Sequence, residues 1–274
     1  MPELPEVETV RRTLLQLVKD KTIKQVRVLY PKIIKKPFEI EQFKDALQGQ
    51  TIYDVSRRGK FIKFILDDYV LVSHLRMEGR YGLFQPEEEI DKHTHVIFEF
   101  LDGSELRYKD VRKFGTMHLF KKGEEEAELP LSQLGPEPFS KQFTSSYLKE
   151  RLKKTSRKIK SALLDQTIVV GLGNIYVDEA LFRAGIHPER IANQLTEKEY
   201  KALHKEIIAT LNEAVEKGGS TIRSYVNTQG EIGMFQLQLL VYGRTDEPCK
   251  TCGTPLTKTV VGGRGTHFCR KCQK

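Results

Sequence analysis

The sequence predicts an α+β protein in three parts, and three observations carry that reading. Between residues 51 and 120, short runs of strand-forming side chains alternate with turn residues. Beyond residue 138 the apolar spacing becomes helical. All four cysteines fall within residues 249–274, in two C-x2-C pairs. The 274 residues, 39% of them hydrophobic, suffice for one large or two moderate cores. With 45 Lys+Arg against 37 Asp+Glu the formal charge is +8, which favours a polyanionic partner such as nucleic acid. The acidic opening does not read as a secretory signal, and no apolar run is long enough to span a bilayer, so a cytosolic setting is expected.

The chain opens Pro-Glu-Leu-Pro-Glu-Val-Glu at residues 2–8. Removal of Met1 would leave a free proline amine beside carboxylates. An α-amino group has a pKa of about 7.7–8.0 against about 10.4 for lysine, so much of it is unprotonated near neutrality. Such an amine attacks an electrophilic carbon, and at a sugar C1′ it becomes a cationic iminium, an electron sink for later bond cleavage. The same heptapeptide also reads as an ordinary helix start, with Pro5 in the first turn and Glu6 and Glu8 complementing the macrodipole.

Next come the hairpins of a sandwich. Strand formers at 61–66 and 69–72 flank Asp67-Asp68, and 96–100 turns through Asp102-Gly103 into 105–108. Acidic stretches at 87–89 and 124–128 read as solvated loops without chemistry. A Pro-containing passage, 129–138, marks the change to helical sequence and reads as a linker.

Residues 161–166 and 175–182 then read as short helices separated by Val169-Val-Gly-Leu-Gly-Asn174. Asn174 is placed to cap the second helix, whose first N–H groups suit a phosphate; a plain N-cap is the alternative. The basic run 153–160 favours phosphate. Thr196-Glu-Lys-Glu199 is a capping box with Leu195 and Tyr200 as staple, and Gly218-Gly219 ends that helix. Residues 217–238 hold four glycines among polar residues, which suits a loop that orders over a flipped base, or a connector that merely ends a helix.

Cys249, Cys252, Cys269 and Cys272 have the spacing of a closed tetrahedral zinc site, with no position left for water; disulfides are the competing reading. Between the pairs, 257–261 and 266–268 read as strands joined by 262–265, with Arg264 at the hairpin tip. There its guanidinium suits a phosphate, or is an exposed turn residue of no consequence.

The opening heptapeptide, Arg57-Arg-Gly-Lys-Phe61, Val-Gly-Leu-Gly-Asn-Ile-Tyr at 170–176 and a finger containing Gly-Arg-Gly-Thr-His occur in one order. In this the chain resembles the bacterial formamidopyrimidine-DNA glycosylases, the MutM or Fpg family, over essentially its whole length. The resemblance implies an N-terminal catalytic β-sandwich at 1–134, a helix-two-turn-helix DNA-binding domain with a lesion-recognition loop at 135–238, a zinc finger at 239–274, and DNA in the cleft between lobes. It implies Pro2 as Schiff-base nucleophile, Glu3 as the acid that helps open the deoxyribose ring, and Glu6 as an organiser of that site. It assigns Lys60 to base excision and β-elimination, and Arg264 to δ-elimination.

Met77, Arg112 and Phe114 match the residues that fill the gap left by an extruded nucleotide; on an extended segment, the last two point the same way. His74, His93, Asn174, Tyr242 and Lys258 match phosphate-binding positions, and Glu78 and Ser220 a lesion pocket. The implied protein is a monomeric, cytoplasmic glycosylase and abasic-site lyase acting on oxidised purines in double-stranded DNA, with one structural zinc ion. An enzyme of the endonuclease VIII type, preferring oxidised pyrimidines, and a non-enzymatic zinc-containing sensor of distorted duplex are the alternatives. Arg112-Lys-Phe114 and the long glycine-containing loop favour the purine branch.

Overall fold

The computed structural model describes residues 2–220 and 238–274. Contacts group the described chain into two units, the first holding residues 2 and 6–133, the second 3–5, 134–220 and 238–274. The α+β architecture expected from the strand and helix patterns is present.

In the first unit, helix α1 (Leu4–Val18) buries Val7, Val10, Leu14 and Val18, apolar positions three or four apart that line one helical face. A four-stranded sheet has the order β1-β7-β8-β6, formed by β1 (Ile23–Val28), β6 (Arg80–Phe84), β7 (Thr94–Phe100) and β8 (Glu105–Lys109). A five-stranded sheet has the order β2-β9-β5-β4-β3, formed by β2 (Ile34–Lys36), β3 (Asp54–Arg58), β4 (Phe61–Ile65), β5 (Tyr69–His74) and β9 (Thr116–Lys121). All pairings are antiparallel except β2 with β9.

The two sheets share one core. Val26, Phe98 and Leu106 come from the first, Ile62, Phe64 and Leu71 from the second, and Phe43 and Leu47 of α2 (Ile40–Leu47) join them. Each such side chain contributes on the order of 1.5–3 kcal/mol by leaving water. The hairpins around Asp67-Asp68 and Asp102-Gly103 lie where turn residues interrupt strand formers.

The acidic stretch 124–128 departs from the expectation of a solvated loop. Glu125 is buried, and Lys63 on β4 contacts Glu125 at 3.0 Å and Glu126 at 2.6 Å, while Lys36 pairs with Glu128. The sheet presents lysines there, so the carboxylates fold back as counter-charges.

The second unit contains α3 (Ser145–Lys153), α4 (Ile159–Leu163), α5 (Asn174–Arg183) and α6 (Glu197–Glu216). Thr144 caps α3 by accepting from the Tyr147 N–H, and Thr196 with Glu199 forms the capping box of α6. Gly218, with φ +72°, and Gly219, whose N–H reaches the Ala214 carbonyl, end α6. Helix α4 starts earlier and stops sooner than its pattern suggests, because Asp165 turns the chain by accepting from the backbone and hydroxyl of Thr167.

The finger hairpin consists of β10 (Thr257–Val261) and β11 (Arg264–Phe268). Beneath it, Phe182 packs with Val241, Leu256, Cys249 and Cys269.

Candidate active site and nucleic-acid interface

The α4–α5 junction organises the site residues of the second unit. Gln166 spans it, donating to the Leu164 and Leu172 carbonyls and accepting from the Gly171 N–H. Gly171 and Gly173 permit close approach: a Cβ on Gly171 would lie 2.4 Å from Leu4, and one on Gly173 would lie 2.3 Å from the Glu3 carboxyl carbon. The buried Glu3 carboxylate thereby reaches the start of α5. Its Oε2 accepts from the N–H of Gly173 at 2.7 Å and Tyr176 at 3.3 Å, and its Oε1 from Ile175 at 2.9 Å.

This corrects the expected phosphate site at the α5 N-terminus, because a carboxylate of the chain already occupies those donors. Gly173, not Asn174, is the N-cap, and the Asn174 amide donates instead to the Gly265 carbonyl at 2.9 Å. The basic run 153–160 is likewise engaged internally. Lys154 pairs with Glu150, Arg157 with Asp165 and Lys158 with Glu189, and Lys160 is wholly buried.

Lys160, the last residue of that run, forms with Asp178 and Glu179 a buried charged network that local sequence patterns do not announce. Lys160 Nζ donates to Asp178 Oδ1 at 2.7 Å and to the Gly265 carbonyl at 3.0 Å. Asp178 Oδ2 accepts from the His267 N–H at 2.8 Å. Burial lowers the Lys160 pKa, the charges of Asp178 and Glu3 resist that fall, and Arg264 adds to it. Glu179 accepts from the N–H groups of Leu240, Val241 and Tyr242, each at 2.9 Å, while burial raises its pKa. The available signal was Asp178-Glu179 inside the apolar helical run Ile175 to Phe182, since buried acids require partners.

Arg264 is not at the hairpin tip. It pairs with Val261 as the first residue of β11, because Gly262 and Gly263, with φ of +56° and +74°, make a two-residue turn by themselves. Its side chain is exposed, as is that of Lys258 on β10. Tyr242 packs edge-on against His267 with ring centroids 4.8 Å apart, and Ser220 is buried with its Oγ 3.2 Å from the Tyr176 hydroxyl.

The four cysteine Sγ atoms lie within 4.8 Å of one another, with Cys249–Cys272 at 3.9 Å and Cys252–Cys269 at 3.5 Å. Thiolates about 2.3 Å from a tetrahedral zinc stand roughly 3.8 Å apart, whereas a disulfide requires about 2.05 Å. The donor set therefore fits one structural zinc ion, and the cysteines are not disulfide-bonded.

In the first unit, Pro2 and Glu6 are buried. Lys60 is only 6% exposed and follows Gly59, whose φ of +57° shapes the β3–β4 turn. His74 lies opposite Phe61 in the β4–β5 register, ring centroids 4.5 Å apart, and its Nδ1 accepts from the Arg76 N–H at 2.9 Å. Burial lowers the His74 pKa to about 3, helped by the charges of Arg76 and Lys60.

Met77 and Glu78 follow β5 and are half-buried, and His93, also half-buried, has its N–H bonded to Asp91. Arg112 and Phe114 are exposed, and the guanidinium sits 4.8 Å from the Phe114 ring centroid. They do not share an extended segment as expected. The chain winds around the buried Asp110, whose carboxylate accepts from the N–H of Arg112, Phe114 and Gly115, and Lys113 takes φ +57°. The expected lesion loop, 217–238, falls largely outside the described residues. Among those described, no helix is long and apolar enough to cross a membrane.

Residues 1–117 match the formamidopyrimidine-DNA glycosylase N-terminal domain, 134–226 the H2TH domain of the same enzymes, and 246–274 the zinc finger found in FPG and IleRS. The chain is 73% identical to a formamidopyrimidine-DNA glycosylase of Bacillus licheniformis, over 100% of both chains. It is 70% identical to one of Bacillus subtilis, over 100% of this chain and 99% of that one. Among solved structures it resembles Lactococcus lactis Fpg in complex with DNA containing N7-benzyl-Fapy-dG, at 46% identity, full coverage of both chains and a TM-score of 0.93. A complex of Lactococcus lactis Fpg with abasic-site DNA matches at 45% identity and a TM-score of 0.93, over 99% of both chains.

Proposed function

The chain belongs to the formamidopyrimidine-DNA glycosylase family, and from that premise we propose that it excises oxidised purines, chiefly 8-oxoguanine and formamidopyrimidines, from double-stranded DNA and then cleaves the strand by β,δ-elimination. The observation that carries this reading is the seat of Glu3. The carboxylate adjacent in sequence to the proposed nucleophile Pro2 is fixed by three N–H donors at the start of α5, and the glycine at 173 exists where any side chain would displace it.

In the proposed reaction the Pro2 nitrogen attacks C1′ of the damaged nucleotide. The glycosidic C–N bond breaks, and the base leaves with the electron pair and gains a proton. The attacking nitrogen releases its proton to Glu3, which delivers it to O4′ as the ring opens, leaving an iminium at C1′. Loss of a C2′ proton expels the 3′ phosphate, loss of a C4′ proton expels the 5′ phosphate, and water hydrolyses the iminium to free Pro2. Lys60 and Arg264 stabilise charge on the phosphates. His74, His93, Asn174, Tyr242 and Lys258 are assigned to phosphate contacts, and Met77, Arg112 and Phe114 to the gap left by the extruded nucleotide. Glu6 is assigned to ordering the nucleophile, and Glu78 and Ser220 to the lesion pocket. The Asn174 amide retains a second N–H for its role beyond the one given to Gly265. The zinc ion holds the finger and supplies no chemistry. The chain is assigned to the bacterial cytoplasm, acting on DNA as a monomer.

Borohydride reduction during turnover of an abasic duplex tests the proposal. A covalent adduct mapped to Pro2 is expected, and strand cleavage without such an adduct would refute the mechanism. Faster excision of oxidised pyrimidines than of 8-oxoguanine would transfer the assignment to the endonuclease VIII type.

A further inference from the structure

We propose that Asp178 is a positioning residue for Arg264, acting through the backbone of β11; the inference rests on the function proposed above. Arg264 is exposed, so the placement of its guanidinium depends on how firmly its own peptide group is held. The surrounding peptides are held by side chains of α4 and α5. Asp178 and Lys160 form an ion pair whose side chains are both 0% exposed. The Asp178 carboxylate takes the His267 N–H, and its partner Lys160 donates to the Gly265 carbonyl, which also receives the Asn174 amide. Thr266 Oγ1 closes back on the Arg264 carbonyl at 2.9 Å. On the other side of the turn, a Cβ at Gly262 would lie 2.6 Å from Ser161 Oγ, so the hairpin sits directly on α4. Gly265 and His267, one and three residues beyond Arg264, are thus tied to α4 and α5.

Stability alone does not account for this arrangement. Removing two charges from water costs several kcal/mol per ion, and apolar replacements of buried pairs are often neutral or stabilising. What the pair adds is a directional lock on one strand. That lock fixes the distance from α5, whose first turn holds Glu3, to the strand that starts with Arg264. A displacement of about 1 Å at a catalytic cation costs up to about a hundredfold in rate.

The test is single-turnover cleavage of an 8-oxoguanine duplex by the full-length zinc-loaded chain, separating β- from β,δ-elimination products on a sequencing gel. Asp178→Asn should retain its zinc and its base excision, while the ratio of δ to β product falls about tenfold. In an Arg264→Ala background, Asp178→Asn should change that ratio no further, because its effect passes through the guanidinium. A wild-type product ratio in Asp178→Asn, or an undiminished loss on top of Arg264→Ala, overturns the inference. If Asp178→Asn holds zinc poorly, the double variant Lys160→Met/Asp178→Leu, which replaces the pair by apolar side chains, is judged by the same two criteria. A wild-type chain that forms neither product sinks the proposed function, and the inference with it.

Discussion

His74 shows how one side chain couples burial to the electrostatics of a candidate phosphate site. Its Nδ1 accepts the Arg76 N–H, which leaves the proton of the neutral ring on Nε2 as the remaining donor. Burial, with Arg76 and Lys60, holds its pKa near about 3 against an ordinary value of about 6.5. Between those values the unfolded chain binds a proton that the folded chain refuses. The stabilising contribution is therefore complete above about pH 6.5 and is lost as pH falls from there toward about 3. At pH 5 the loss is about 2 kcal/mol. Urea unfolding at pH 7 and pH 5 should show a smaller drop for His74→Gln than for the parent chain; equal drops would mean that the ring is not held neutral.

At the scale of elements, the turn between β8 and β9 depends on Asp110. Its carboxylate satisfies three backbone N–H groups, and the stacked Arg112 and Phe114 project from the loop thus formed. Each buried N–H left unpaired costs on the order of 1–3 kcal/mol. Asp110→Ala should therefore weaken binding to abasic duplex at least about tenfold and lower Tm by several degrees. Unchanged affinity in a gel-shift titration would dissociate the turn from DNA recognition.

The elements that were legible in the sequence share one property: their determinants are local. Strand formers flanking Asp67-Asp68, the Thr196–Glu199 box and the C-x2-C spacing all act within a few residues. What was missed depends on distant partners. Glu3 and Gly173 are 170 positions apart, and Asn174 and Gly265 are 91 apart, so no local pattern distinguishes a junction that receives a phosphate from one that receives the chain's own carboxylate. The position of Arg264 is ambiguous for a smaller reason, since four consecutive turn-prone residues do not reveal which two of them form the turn.

At the scale of the molecule, the buried apolar side chains that the described finger supplies from residue 249 onward are Cys249, Leu256, Val261, Phe268 and Cys269, and the first two and the last pack with Val241 and with Phe182 of α5. Zinc–thiolate energy is therefore folding energy for residues 249–274. Chelation should unfold this segment while the nine described strands of the first unit retain their circular dichroism, and lesion-duplex binding should vanish. Binding that survives in verified zinc-free protein would contradict this. Helix α5 gives the second unit its common reference: its first turn seats Glu3, Asn174 and Asp178 hold β11 within the finger, and Glu179 holds residues 240–242 that lead to its cysteines. Because each residue advances about 100° around such an axis, a single insertion between Asn174 and Asp178 would swing both acids away from their partners at once. The segment after Arg183 has no more latitude, because Ile186, Pro188 and Arg190 accept from Gln273, Lys160 and Ile159, so a length change there would move α4 and the last residues of the finger as well.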